Sequence, residues 1–167
     1  MVSVTFAPFQ NAFRDSIVKN IKILFENPRI FEPSSIALTK GLVGLYFIFT
    51  SGLQIQYPFN RSRLIYIGMS ERKTNSIGSR LSGHFDGSSK NQGLINYRSV
   101  DQLNFTVLNF EMFRNLWKLR IEQLESYFIL DFVRKFGVYP ICNNKSGFDF
   151  VGQELELSLN IGWNYFD

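Results

Sequence analysis

The spacing of apolar positions changes period several times along the chain, and each change marks an element. Phe13, Ile17, Ile21, Leu24 and Phe25 recur at helical spacing, so residues 10–26 predict an amphipathic helix that ends before Pro28. Pro28 and Pro33 mark a loop after it. Residues 42–50 are a β-prone apolar run and Leu64 to Gly68 a second, which predicts two paired strands. The 51–63 connection between them carries Gly52, Pro58 and a polar stretch; it is long for a hairpin and is expected to stand out from the sheet. A short helix is predicted over residues 76–85, with Thr74, Asn75 or Ser76 as N-cap, and residues 86–99 read as loop. Leu103, Phe105 and Val107 alternate with their neighbours and predict a third strand at 102–110. The longest helical pattern covers 112–136 and stops at Gly137. Leu155, Leu157, Leu159 and Trp163 then form a packed tail whose pattern selects neither helix nor strand.

The order helix, strand, strand, helix, strand, helix, tail predicts an α+β fold with a small, mainly antiparallel three-stranded sheet flanked by helices. The expected organisation is one domain: a helical extension over 1–40, a core over 41–147 and a tail over 148–167. At 167 residues the chain is long enough to bury a core without disulfides or metals.

Composition narrows the class. One cysteine, Cys142, and one histidine, His84, cannot form an internal disulfide or a four-ligand zinc site, so no zinc is expected. No apolar run is long enough to span a bilayer and the first residues do not resemble a signal peptide. The expectation is a cytoplasmic protein with no membrane partner. The net charge of +4 is unevenly spread: residues 1–59 carry +2, 60–98 carry +5 and 99–167 carry −3. The excess sits at Arg61, Arg63, Arg72, Lys73, Arg80, Lys90 and Arg98, which is either a solvated basic face or a site for a polyanion.

Three constellations carry chemistry. Glu125 shares a helical face with Ile121, Phe128, Ile129 and Phe132, which puts an acid in an apolar stripe. A buried carboxylate needs a partner, and a divalent metal or a basic residue of the central segment would serve. Glu122, by contrast, follows Lys118 by four residues and reads as an exposed ion pair. Arg80 and His84 lie four residues apart on one face of the short helix, where an arginine can hold a phosphate and a histidine can move a proton. Tyr46 and Tyr66 lie in the first two strands. Strand tyrosines usually pack and hydrogen-bond through their hydroxyls; here they precede Arg, His and Glu on strand, strand, helix and helix.

At these residues the chain resembles the GIY-YIG nucleases. GLY at 44–46 and YIG at 66–68 are similar to the two signature triplets, SIGSRLSGHF at 76–85 to the arginine helix, and LESYFI at 124–129 to the glutamate helix. Asn143 in PICN, with Asn144 as its neighbour, corresponds to the asparagine that follows. The resemblance covers about residues 42–147.

It implies a divalent-metal phosphodiesterase acting on double-stranded DNA. Glu125 would bind one Mg²⁺ or Mn²⁺ per site, and Arg80 would hold the phosphate. Tyr46 would sit against the attacking water as base or relay, Tyr66 would position it, His84 would draw the tyrosine proton, and Asn143 would support the site. A base role for tyrosine at neutral pH requires neighbouring positive charge, which the central segment is expected to supply. Arg61, Arg63, Arg72, Lys73 and Lys90 are the expected DNA contacts. The chain departs from the pattern in having Met69 after YIG, where many members carry Lys or Arg, and in a longer connection of nineteen residues between the triplets.

Among family types, repair incision subunits are longer, resolvases add a cysteine-rich zinc domain and homing enzymes tether a DNA-binding region. The compact type II restriction endonucleases fit best, with Arg and His four apart and Gly147-Phe148 after the asparagine. A short palindrome would be cut by a homodimer or by two monomers. The alternatives are a homing or mobile-element endonuclease, a module that binds nucleic acid without cutting, and a basic RNA-binding domain that stacks bases on sheet aromatics.

Overall fold

A computed structural model describes residues 19–145, 147 and 157–167. The chain opens with β1 (Lys19–Ile23), β2 (Arg29–Ile30) and a short α1 (Pro33–Ala37). β3 (Gly44–Thr50), a hairpin of β4 (Ile55–Gln56) and β5 (Arg61–Ser62), and β6 (Leu64–Ser70) follow. Then come α2 (Ile77–Asp86), α3 (Gln92–Val100), β7 (Leu103–Asn109), α4 (Ile121–Phe136) and β8 (Leu157–Ile161). The α+β class holds. No helix among the described residues is long and apolar enough to cross a membrane.

The main sheet has four antiparallel strands in the order β2-β7-β3-β6, one more than the predicted three, because the two-residue β2 adds to the outer edge of β7. Every residue of β3 is buried. Its unbroken apolar run follows from being covered on both faces. Leu45, Phe47 and Phe49 face one apolar cluster, which contains Leu124, Phe128, Phe132 and Phe136 of α4. Tyr46 and Ile48 face the other, with Ile77 and Leu81 of α2 and Leu94 of α3. The sheet is therefore a partition between two cores, and a β3 side chain changes core with every step along the strand.

The predicted helix over 10–26 is not what the chain forms where it is described. Residues 19–23 are β1, paired in parallel with β8 in the register Ile21↔Leu159 and Ile23↔Ile161; residues 10–18 lie outside the described part. Ile21 and Ile23 alternate as a strand does, and the partner that selects this period lies over a hundred residues away in sequence. Leu24, assigned to the helix stripe, is 71% exposed. The tail thus resolves into β8 and a 3-10 turn, Trp163–Phe166, while Leu155 is outside the described residues.

Three further boundaries differ. Residues 92–100 form α3 where loop was expected, because the Asn91 side chain accepts from Leu94 N at 3.1 Å and caps a helix with little apolar signal. The glutamate helix starts at Ile121 and not at 112: residues 110–112 are a 3-10 turn, and Trp117 is buried with its indole N–H on the Arg120 carbonyl. The 51–63 connection does not stand out. Tyr57 is buried against Phe132 and Phe136 and donates to the Leu64 carbonyl at 2.7 Å, which folds the β4–β5 hairpin onto the end of α4.

Arg63, at the exit of that hairpin, donates to the main-chain oxygens of Asp167 (3.0 Å), Tyr165 (3.2 Å) and Ser51 (3.3 Å). Hydrogen bonds from a charged donor contribute more than neutral ones. Arg63→Ala is expected to lower stability by about 2 kcal/mol in urea unfolding, with exposed Arg61→Ala within about 0.5 kcal/mol of wild type. Equal stability of Arg63→Ala and wild type would refute the latch.

Candidate active site

Backbone proximity builds the centre of the site. Tyr46 of β3 stands directly opposite Gly68 of β6. A Cβ built on Gly68 would lie 2.5 Å from the Tyr46 oxygen and closer still to Cζ, so the strand passes the tyrosine in its place only with glycine there. Gly44 is needed for a related reason: its φ is +151°, and a Cβ would meet the Leu108 carbonyl of β7. Tyr66, two residues before Gly68, is half-buried with its ring 6.0 Å from that of Tyr46.

Ser76 caps α2, accepting from Ser79 N, and Gly87 ends it in the left-handed conformation. The helix presents Arg80 and, one turn on, His84 toward the two tyrosines. His84 Nε2 is 3.0 Å from the Tyr46 hydroxyl, and His84 Nδ1 is 2.8 Å from Ser89 Oγ. The Arg80 guanidinium lies near enough to the Tyr46 oxygen to oppose the rise in its pKa. In the tautomer whose Nδ1–H donates to Ser89 Oγ, Nε2 is left to accept from the Tyr46 hydroxyl. Ser89 Oγ accepts a second, longer bond from Asn91 N at 3.4 Å.

Burial dominates the electrostatics. It raises the Tyr46 hydroxyl well above its ordinary pKa, with Tyr66 adding to the effect and Arg80 opposing it. Tyr66 is raised for the same first reason, then by Glu125, again against Arg80. His84 is lowered from 6.5 to about 4 by burial and then by Arg80. The expectation that central positive charge would pull Tyr46 down is reversed, because desolvation outweighs one exposed guanidinium. At neutral pH Tyr46 is a hydroxyl, and its neighbour His84 is a neutral imidazole able to take a proton.

Glu125 reaches this group from α4 on the other side of the β6 edge. Its Oε2 is 3.1 Å from Lys145 Nζ; the two side chains are 12% and 32% exposed. The expected partner was a divalent metal or a basic residue of the central segment; Lys145, from the stretch after α4, pairs with the carboxylate, and Arg80 of the central segment feels it electrostatically. Glu122 pairs with Arg120 at the helix start and not with Lys118, which precedes the helix. Asn143 is buried, its Oδ1 accepting from Ile67 N at 2.9 Å and its Nδ2 donating to Ile67 O at 2.7 Å. Asn144, its neighbour, is exposed at the cleft.

That cleft encloses about 650 Å³ and is lined by Tyr66, Arg80, His84, Lys90, Asn91 and Asn144 among others, with no carboxylate in its wall among the described residues. Arg72 and Lys73 are exposed on the turn before α2, Arg72 beside Glu71 at 3.6 Å. Arg61 and Arg63 are not part of the cleft wall; Arg61 donates to Gln56 Oε1. Lys145, Ser89 and Asn91 escaped the sequence reading, since none stands at a periodic offset from the residue it serves. Among the described residues no three His, Cys, Asp or Glu side chains converge. One carboxylate still fits a hard divalent cation that keeps waters and takes substrate phosphate oxygens as its other ligands, and Glu125 already sits against a cation. No family model, curated protein or solved structure matches the chain.

Two outcomes follow from burial and close approach. The unfolded chain binds more protons than the folded one between pH 6.5 and about 4, so stability falls as pH drops through that window. The loss approaches roughly 3 kcal/mol below it, and His84→Gln should flatten this part of the curve in urea titrations at each pH. Gly68→Ala is expected to lower stability by about 2 kcal/mol, since the Tyr46 ring must leave its place. An unaltered urea midpoint would show that the ring yields without loss.

Proposed function

We propose that this protein is a divalent-metal-dependent endonuclease that hydrolyses phosphodiester bonds of double-stranded DNA, of the GIY-YIG kind and the restriction type. The observation that carries the proposal is the Tyr46–His84 pair, whose histidine lines a polar cleft together with Arg80 and Lys90, with Glu125 near enough to Tyr66 to raise its pKa. A tyrosine bonded to a neutral histidine can relay a proton, and a polar wall that carries Arg80 and Lys90 and, among the described residues, no carboxylate favours a phosphate chain.

In this scheme Arg80, exposed in the cleft, takes the non-bridging phosphate oxygens in its forked donors, and Lys90 extends the contact along the strand. Tyr66 positions water against phosphorus. As the water oxygen bonds to phosphorus and a P–O ester bond breaks, the water proton passes to the Tyr46 oxygen while the Tyr46 proton passes to His84 Nε2, and the leaving oxygen departs with the bonding pair and takes its proton from solvent water. The relay never requires a free tyrosinate, whose formation burial opposes. Glu125 would hold the metal, which when bound supplies Lewis-acid polarisation of the phosphate and stabilises the leaving oxygen. Asn143 keeps β6, and with it Tyr66 and Gly68, in place through Ile67.

The restriction type rests on the Arg80 and His84 spacing and on the asparagine followed by Gly147-Phe148. Incubation with plasmid in Mg²⁺ or Mn²⁺ is expected to give linear product with one repeated end sequence. Scattered ends would replace the restriction type with a non-specific or repair-like activity, and DNA binding without cleavage would leave a binding module. Arg80→Ala and Glu125→Ala should each lower single-turnover cleavage by at least about 10²-fold, and His84→Ala by about 10²-fold, with Glu122→Ala unchanged. Wild-type cleavage by Glu125→Ala would remove the proposed metal ligand.

A further inference from the structure

We infer that Lys145 is the internal counter-cation of Glu125, and that its ammonium competes with a divalent metal ion for that carboxylate and so sets the metal affinity of the site. The inference rests on Glu125 being the metal-binding carboxylate of the proposed nuclease, and it assigns a role to a residue that proposal does not use.

Lys145 does not reach Glu125 by a chance swing of a long side chain. Two residues earlier, Asn143 is fixed to both main-chain groups of Ile67, and Cys142 N donates to Ile65 O at 2.9 Å. Two residues later, Gly147 has φ +79° and passes so close to α4 that a Cβ would meet Leu130 N at 2.7 Å and Ser126 O at 2.8 Å. The chain is thus held to β6 on one side of Lys145 and to α4, the helix of Glu125, on the other. Between these anchors the ammonium lies 3.1 Å from Oε2.

The carboxylate is largely buried, and an uncompensated charge there would oppose folding. Lys145 supplies the compensation without metal. A divalent ion arriving at the same carboxylate meets that positive charge at short range, in surroundings less polar than water. Its binding must displace the ammonium or share the carboxylate with it, and either lowers the affinity. Lys145 is half-exposed, so its side chain can turn outward when displaced. Fold stability and metal affinity are in this way set against each other at one ion pair.

The comparison is wild type against Lys145→Met, with Mn²⁺ as probe. Free Mn²⁺ is counted by paramagnetic resonance, and melting temperature is read with and without the ion. Lys145→Met is expected to bind Mn²⁺ about tenfold more tightly, and to gain more melting temperature from it than wild type does. Lys22→Met, exposed on β1, should match wild type and controls for net charge. Should Lys145→Met not fold without metal, Lys145→Gln gives the same comparison with a polar side chain. Equal or weaker binding by the variant, with wild-type binding abolished in Glu125→Gln, overturns the inference and leaves the metal role of Glu125 standing. Binding that Glu125→Gln leaves unchanged, or none in any variant, overturns both.

Discussion

Two hydrogen bonds from one side-chain amide decide where the site can form. β6 is the edge strand of the sheet, so Ile67 has a main-chain N–H and C=O that no strand pairs. Asn143 takes both, at 2.9 and 2.7 Å, and its amide imitates the peptide of a fifth strand. Without it two buried main-chain groups would lose their partners, a large penalty beside ordinary domain stability. Its geometric effect is as large. Tyr66 and Gly68 flank Ile67, and Lys145 follows Asn143 by two residues. One amide therefore registers the strand that carries the tyrosine against the segment that brings a cation to Glu125.

The partition made by the sheet explains why residues so far apart in sequence act on one another. Tyr46 and Phe47 are adjacent, yet they belong to different cores. Glu125 belongs to the α4 side and Arg80 and His84 to the α2 side, and they meet where the edge strand leaves the partition open. Burial at that meeting point keeps Tyr46 protonated and His84 neutral. A site drawn from one core alone would lack either the carboxylate or the tyrosine–histidine pair.

Much of this was legible in the sequence, and the failures have a common cause. The three long strands, α2 and the end of α4 at Gly137 follow from local periods and caps, so they emerged correctly. Glu125 stood out because an acid in an apolar stripe is a local anomaly, and the Arg80–His84 pair because a helix places those offsets together. The misread parts depend on partners distant in the chain. Ile21 and Ile23 form a strand because β8 lies beside them; Tyr57 turns inward because Phe132 and Phe136 receive it. Lys145 was invisible for the same reason, as no periodicity relates it to Glu125. The pKa of Tyr46 was misjudged because net charge can be counted in a sequence, whereas desolvation depends on the three-dimensional packing.

Counting charge also overstated the cationic surface. The central segment holds +5, but several of its cations have internal tasks. Arg63 binds three main-chain oxygens, those of Tyr165 and Asp167 at the last turn and that of Ser51 after β3, and Arg98 lies over the Phe85 ring at 4.4 Å while donating to the Phe85 carbonyl. Arg61 and Arg72 each have a neighbouring side chain to satisfy. Arg80 and Lys90 are the two that line the cleft. An anion in the cleft therefore meets a specific pair of cations beside His84, while Arg63 and Arg98 direct their charge at main-chain oxygens of the fold.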